Sequence, residues 1–351
     1  MKNIYLLLVL FYFHSNAQQH SNYDSIMHAQ VNFNGVVLVA ENGKVQFHEA
    51  YGFRTFIDKQ PLKKDDIFEL ASISKQFTAM IIMMLQEQHL LKYDDPVSKY
   101  LTIPYKGITI RHLLTHTSGL PDYQDIMDKH WDKTKVAGNS DILEFLNQYA
   151  PPTLFDPGTQ YAYSNTGYVL LASIAEKASN VDFIELCRAL IFEPLKMKDT
   201  DIRSLQVKAK TKNFAIGHLF VPERNLFVRA DSFPSSNYTI WLGNRKGPGR
   251  MSSTATDLLK WSNALYTDRL LKDEMLKEAF RPMSLKNNSL SWYGFGWELS
   301  EKNPQRIQHT GDNPGYHNII VRKLDNRKTV IILTNNGFKD VEGLATALIA
   351  Q

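Results

Sequence analysis

The chain has 351 residues, 43% of them hydrophobic and 22% charged, with a formal net charge of +4. That composition excludes a disordered or fibrous chain and leaves room for one large domain or two smaller ones. No Lys/Arg block forms a stripe that would fit nucleic acid, and neither a low-complexity tract nor an internal repeat is present.

The first segment, MKNIYLLLVLFYFHSNAQQ, carries Lys2, an apolar core over residues 4 to 13, and then Ser15-Asn16-Ala17. This pattern predicts a secretory signal cleaved after Ala17, covering residues 1–17. The apolar core is too short to span a bilayer, so an exported (periplasmic or secreted) protein is expected rather than an anchored one. A first helix is expected over residues 20 to 31. Next, NGVVLVAENGKVQFHEAYGF reads as a hairpin, two β-branched runs around Glu41-Asn42-Gly43.

ELASISKQFTAMIIMML, residues 69 to 85, predicts a buried helix from Ile73, apolar nearly all round. Ser72 then lies at its N-terminus with Lys75 one turn on, and residues three apart share a helix face. Ser74 does not share that face. Helix N-terminal N–H groups and partial positive charge suit a developing oxyanion. On spacing alone Ser72 fits an ordinary N-cap at least as well, because about one Ser-x-x-Lys match is expected by chance in such a chain.

Residues 91 to 284 read as mainly helical with many loops: RHLLTHTSGLPDY, DILEFLNQYA, GYVLLASIAEKAS, VDFIELCRALIF and TATDLLKWSNALY. The tail returns to strands in YGFGWELS, QRIQHTG, YHNIIVRKL and KTVIILTN, and closes on the helix VEGLATALIA. Strand-rich ends around a helical middle predict an α/β (α+β) fold. Its antiparallel sheet is built from both chain ends, residues 18–90 and 285–351, and a helical domain, residues 91–284, is inserted. The crevice between them is the expected site. The single cysteine, Cys187, sits in an apolar-periodic helix and reads as a buried structural thiol.

Three further stretches bear on Ser72: YAYSNTGY, with Tyr163, Ser164 and Asn165; IQHTGDNPGY, with His309, Thr310 and Gly311; and RHLLTHTSGLPDY. The ordered set Ser-x-x-Lys, His-Leu-Leu-Thr-His-Thr-Ser-Gly-Leu, Pro-Gly-x-x-Tyr-x-Tyr-Ser-Asn and His-Thr-Gly resembles the penicillin-recognising serine hydrolases. The branch it resembles holds class C β-lactamases, D-alanyl-D-alanine carboxypeptidases and esterases on the same fold. The likeness runs from about residue 33 to 337.

The resemblance implies an α/β domain beside an all-helical one, and an acyl-serine mechanism without metal or cofactor. By resemblance, Ser72 is the nucleophile, Lys75 its proton acceptor, Tyr163 a second base and Asn165 a hydrogen-bonding anchor for Lys75 and substrate amide. The oxyanion would lie between the backbone N–H groups of Ser72 and Asp312. His309, Thr310 and Gly311 would line the substrate strand. Most class C β-lactamases carry Lys where this chain has His309. A histidine there is expected to make carboxylate capture pH-dependent and to leave more of it to Thr310 or to Arg250 or Arg322. The expected substrate is a small molecule or peptide, such as a peptidoglycan fragment or an ester.

His112 and His116 have the spacing of a zinc pair, but Leu113 stands where a metalloprotease helix carries Glu, so capping and packing are expected of them. Glu144 to Asn147 reads as a plain helix face. The loops NYTIWLGNRKGPGR and PDYQDIMDKHWDK are the expected specificity loops. The alternatives to a peptidase or esterase are a true class C-type β-lactamase and a catalytically silent penicillin-binding module.

Overall fold

The computed structural model describes residues 21–351. The signal cleavage expected after Ala17 lies outside them. The elements that position the site are β1 (Gly35–Glu41), β2 (Lys44–Tyr51), β3 (Phe68–Glu69), β4 (Asp201–Ile202), β5 (Met251–Ser253), β6 (Glu298–Leu299), β7 (Arg306–Asn313), β8 (Tyr316–Lys323) and β9 (Lys328–Thr334). The helices are α1 (residues 21–28), α2 (Ser74–Glu87), α3 (Ile110–Leu114), α4 (Asn139–Tyr149), α5 (Asn165–Ser179), α6 (Ala255–Ala264) and α7 (Val341–Ala350).

The main sheet is antiparallel with strand order β6-β7-β8-β9-β1-β2, so β1 from one end of the chain pairs with β9 from the other. Alternation along the strands sorts side chains onto two faces. Val36, Leu38, Ile320, Ile331 and Leu333 join the large core that contains α2 and α6. Val37, Val39, Ile319, Val330 and Ile332 face the other way, onto Tyr23 and Met27 of α1 and Val341, Leu344 and Leu348 of α7. Asn42 and Gly43, both at positive φ, make the β1–β2 turn expected from Asn-Gly.

α2 is buried from Ser74 through Leu85 and forms the central spine between the sheet and the helical layer of α3, α4 and α5. The middle of the chain also sends segments back. β5 pairs with β3 and β4 in a small three-stranded sheet, and α6 packs on β1 and β9. Cys187 is buried, as its apolar surroundings predict. Among the described residues no helix is long and apolar enough to cross a membrane.

Candidate active site

The chain turns sharply just before α2. Ala71, Ser72 and Ile73 form a 3-10 turn that runs straight into the helix, and Ala71 sits at φ +49°, the left-handed region that residues with a Cβ enter rarely. Ser72 is therefore not an N-cap, and no side chain caps this helix start. The turn is held from two sides. Leu70 N–H donates to Met251 O (2.8 Å), and Met251 N–H donates to Ser74 Oγ (3.2 Å). Ser74 is buried and braces β5, while Ser72 faces the cleft.

Lys75 is fully buried beneath Ser72. Its Nζ lies 3.0 Å from Ser72 Oγ, 2.8 Å from Asn165 Oδ1 and 2.9 Å from Pro248 O. Two of those three neighbours are carbonyl oxygens, which only accept. A neutral amine has two N–H donors and one lone pair, so the carbonyls take both donors and the lone pair is left for the Ser72 hydroxyl. Among the described residues no carboxylate pairs with Lys75. Burial pushes its pKa well below the ordinary lysine value, the Arg245 guanidinium adds to that, and Asp122 works in the opposite direction.

Asn165 is the first residue of α5. The Ser164 hydroxyl caps this helix by accepting from Gly167 N–H (3.1 Å). His116 fixes the loop ahead of it. Its backbone O accepts from Ala162 N–H (3.0 Å), and its Nδ1 accepts from Ser164 N–H (3.0 Å). Tyr163, between those anchors, lies with its ring under Lys75 Nζ at 4.7 Å from the centroid and 4.3 Å from the His116 ring. Desolvation of the Tyr163 phenol raises its pKa above the ordinary value, an effect moderated because 42% of the residue is exposed, and the Ser72 hydroxyl pulls it back in part.

β7 completes the site from the sheet side. A Cβ on Gly311 would lie 2.1 Å from Leu70 O, so only glycine lets this strand press against the nucleophile turn. The strand continues past Gly311 to Asn313, and Ser72, Asn165, Asp312 and Asn313 line one pocket.

A Beta-lactamase family model matches residues 22–351. The chain belongs to the β-lactamase family of serine hydrolases. A penicillin-binding protein of Bacillus subtilis is 39% identical over 308 residues, covering 86% of this chain and 68% of that relative. A D-aminopeptidase of Brucella anthropi is 25% identical over 311 residues, covering 86% of this chain and 56% of the longer relative. Among solved structures, the octameric penicillin-binding protein homologue from Pyrococcus abyssi shares the fold with a TM-score of 0.80. That match has 24% identity and covers 95% of this chain and 76% of that one.

Within this family member, three expectations for the β7 side are corrected. His309 is 1% exposed, and both ring nitrogens are occupied, Nε2 by Tyr293 Oη at 2.8 Å and Nδ1 by Thr310 O at 2.6 Å. Burial holds its pKa below the ordinary histidine value, with Glu298 opposing. The ring is a neutral internal strut and no pH-dependent holder of a carboxylate. Thr310 Oγ1 donates to Glu298 Oε1 (3.3 Å). Neither proposed arginine reaches the cleft. Arg250 is buried against Glu69 (3.4 Å) and Thr239 O (3.1 Å). Arg322 is buried among the rings of Tyr266, Phe280 and Trp297 and donates to Ser262.

The histidine pair behaves as capping and packing groups. His112 Nδ1 accepts from Thr109 N–H in a capping box, and His116 Nδ1 is used by Ser164. Glu144 and Asn147 lie on α4, where Asn147 Nδ2 donates to Thr102 O (2.9 Å). Sequence reasoning missed Arg245, Tyr238 and Gln124, which line the pocket beside Ser72, and Tyr293, which supports His309. The first three fall in the two loops marked as specificity loops. Tyr293 opens YGFGW, a stretch that shares in the family resemblance but carries no sign of the contact with His309.

Proposed function

We propose that this protein is an exported serine hydrolase that cleaves an amide or ester through an acyl-Ser72 intermediate, with D,D-peptidase or esterase character. The observation that carries the reading is the environment of Lys75. It is a buried amine with two carbonyl acceptors, no carboxylate, and its third neighbour the Ser72 hydroxyl. Such an amine is a proton acceptor in waiting.

In the acylation step Ser72 Oγ attacks the substrate carbonyl carbon while its proton moves to Lys75 Nζ. The tetrahedral oxyanion is met by the backbone N–H groups of Ser72 and Asp312. The bond to the leaving group then breaks as that group takes a proton from the Tyr163 phenol, and the phenolate recovers a proton from the Lys75 ammonium. Water repeats the sequence to release the acid and Ser72. The raised pKa of Tyr163 favours this donor role over that of a resting second base. His309 and Tyr293 hold the wall behind Tyr163, whose ring centroid is 6.3 Å from that of His309 and 6.2 Å from that of Tyr293.

Similarity to a penicillin-binding protein over most of the chain supports reaction with β-lactams, and similarity to a D-aminopeptidase supports D-configured amides as substrates. The test is the intact mass of the protein from residue 18 onward after brief exposure to benzylpenicillin, beside Ser72→Ala, with hydrolysed drug assayed in the same tube. A lasting Ser72-dependent adduct is expected, since a peptidase-like enzyme deacylates slowly. Fast Ser72-dependent drug hydrolysis without an adduct would assign a β-lactamase. Neither adduct nor hydrolysis, followed by no Ser72-dependent cleavage of D-amino-acid amides or esters, would overturn the reading.

A further inference from the structure

The pocket beside Ser72 contains a buried cation with no anionic partner. Arg245 is 7% exposed. Its Nη1 donates to the Tyr123 hydroxyl (2.7 Å), a neutral group. Its Nε is buried without any acceptor, and among the described residues no carboxylate lies within ion-pair distance of the guanidinium. Its Nη2 stands 3.7 Å from where a Cβ on Gly249 would be, on the wall of the same pocket. The other charged groups around it are at longer range: Glu69, across the site Lys75 and Asp122, and Asp312 in the lining of the same pocket.

A buried guanidinium left without an anion is costly in a folded protein, and its fork geometry matches a carboxylate. Arg250 and Arg203 are already engaged, with Glu69 and with Ser252 and Asp199. Arg245 is also held in place. The main chain on either side of it is pinned, Lys246 N–H to Asn139 Oδ1 (2.7 Å) and Arg245 N–H to Leu242 O (3.2 Å).

The pocket's position decides which part of a substrate Arg245 would meet. Ser72, Asn165, Gln124, Tyr238, Arg245 and Asp312 line it, whereas Tyr163 and Thr310 do not. The leaving group must lie beside its proton donor, Tyr163. The pocket without Tyr163 therefore takes the other half of the substrate, the acyl half that stays on Ser72.

We propose that Arg245 binds a carboxylate carried by the acyl portion of the substrate, making this a hydrolase for acyl groups with a negatively charged side chain or tail. The inference rests on the acyl-serine reading above and adds the substrate class. Asn165 and Gln124 supply neutral hydrogen-bonding groups along the same wall, and Tyr238 gives it an aromatic side.

The test compares two p-nitrophenyl esters of equal acyl length, the hydrogen glutarate and the pentanoate. Both are assayed on the unaltered protein and on Arg245→Gln and Arg245→Lys, with Ser72→Ala as the blank for spontaneous hydrolysis. The unaltered protein is expected to prefer the glutarate in kcat/KM. In Arg245→Gln the glutarate-to-pentanoate ratio is expected to fall at least about tenfold, through KM on the glutarate arm, and Arg245→Lys to restore part of it. A ratio in Arg245→Gln within about threefold of the original overturns the proposal, as does hydrolysis of the pentanoate with none of the glutarate; the acyl-serine reading survives both. Ser72-independent or absent hydrolysis of both esters removes the acyl-serine reading and this inference with it. Should Arg245→Gln fail to fold, free glutarate and glutaramide are compared as inhibitors of pentanoate hydrolysis by the unaltered protein. Glutarate binding about tenfold tighter or more supports the assignment, and equal binding overturns it.

Discussion

Replacing Gly311 with alanine tests how tightly the sheet sets the nucleophile. The added Cβ would lie 2.1 Å from Leu70 O, about 1.3 Å short of the 3.4 Å at which ordinary contact begins. It would also lie 3.3 Å from the Ile73 side chain, so it cannot tilt away. Leu70 is fixed by its hydrogen bond to Met251, and β7 by its ladder to β8. Either strand or turn must retreat by roughly an ångström. Overpacking of this size costs about 1–3 kcal/mol of stability. It also moves Ser72 relative to Asp312, and an ångström of misplacement at reacting groups costs about 10²-fold in rate. The assay is the rate of Ser72 acylation by benzylpenicillin or an ester, read by mass, beside a thermal melt. A folded Gly311→Ala protein is expected to acylate about 10²-fold more slowly. Acylation within threefold of the original in that folded protein would refute the claim that β7 and the turn are held in register by this contact.

Lys75→Met keeps the buried volume and removes the proton acceptor; acylation is expected to fall by at least about 10³-fold, measured as adduct formation over time. Because Lys75 must be neutral to accept a proton, the acylation rate is expected to rise with pH as Lys75 deprotonates, with a midpoint below the ordinary lysine value of 10.5; His309→Gln should not move that midpoint through a lost charge, since His309 is neutral already. Tyr163→Phe is expected to lower kcat about 10²–10⁴-fold while leaving the fold intact by circular dichroism, with the loss smallest for esters whose leaving group needs no proton. Glu69 accepts from the buried Lys208 and from Asn313 Nδ2 (2.8 Å), and lies 3.4 Å from Arg250 Nη1; desolvation opposes its ionisation, yet these partners hold its pKa at about 2. Its folded pKa is depressed, so its stabilising share is present above the ordinary carboxyl value of 4.5 and is lost as pH falls towards 2. Glu69→Gln leaves Lys208 and Arg250 without their anion and is expected to destabilise by about 3–5 kcal/mol in urea unfolding at pH 7; a loss under 1 kcal/mol would mean the cluster is solvated.

The helices and strands were legible because each carries a local signal. The short β-branched apolar runs of β1, β8 and β9, the Asn-Gly turn, the apolar run of α2 and the closing helix all appear where composition, run length and turn residues put them. YGFGWELS was less regular than it reads. Only Glu298 and Leu299 pair in the sheet, because Gly296 turns at φ +78° to pass close to the backbone of α2. A contact across 220 residues leaves no periodicity behind.

The sequence by itself determined which residue types could do the chemistry: Ser72 three residues before Lys75, a Tyr-Ser-Asn ahead of a helix, and a glycine where β7 needs one. Spacing along one helix suffices for the first pair, because turn geometry alone brings them together. Tertiary structure decided everything that depends on surroundings. It removed water and carboxylates from Lys75, turned Arg250, Arg322 and His309 away from the cleft, and set Arg245 into it. Charge state and direction are properties of an environment assembled from distant segments, and no residue carries its environment in its own neighbours along the chain.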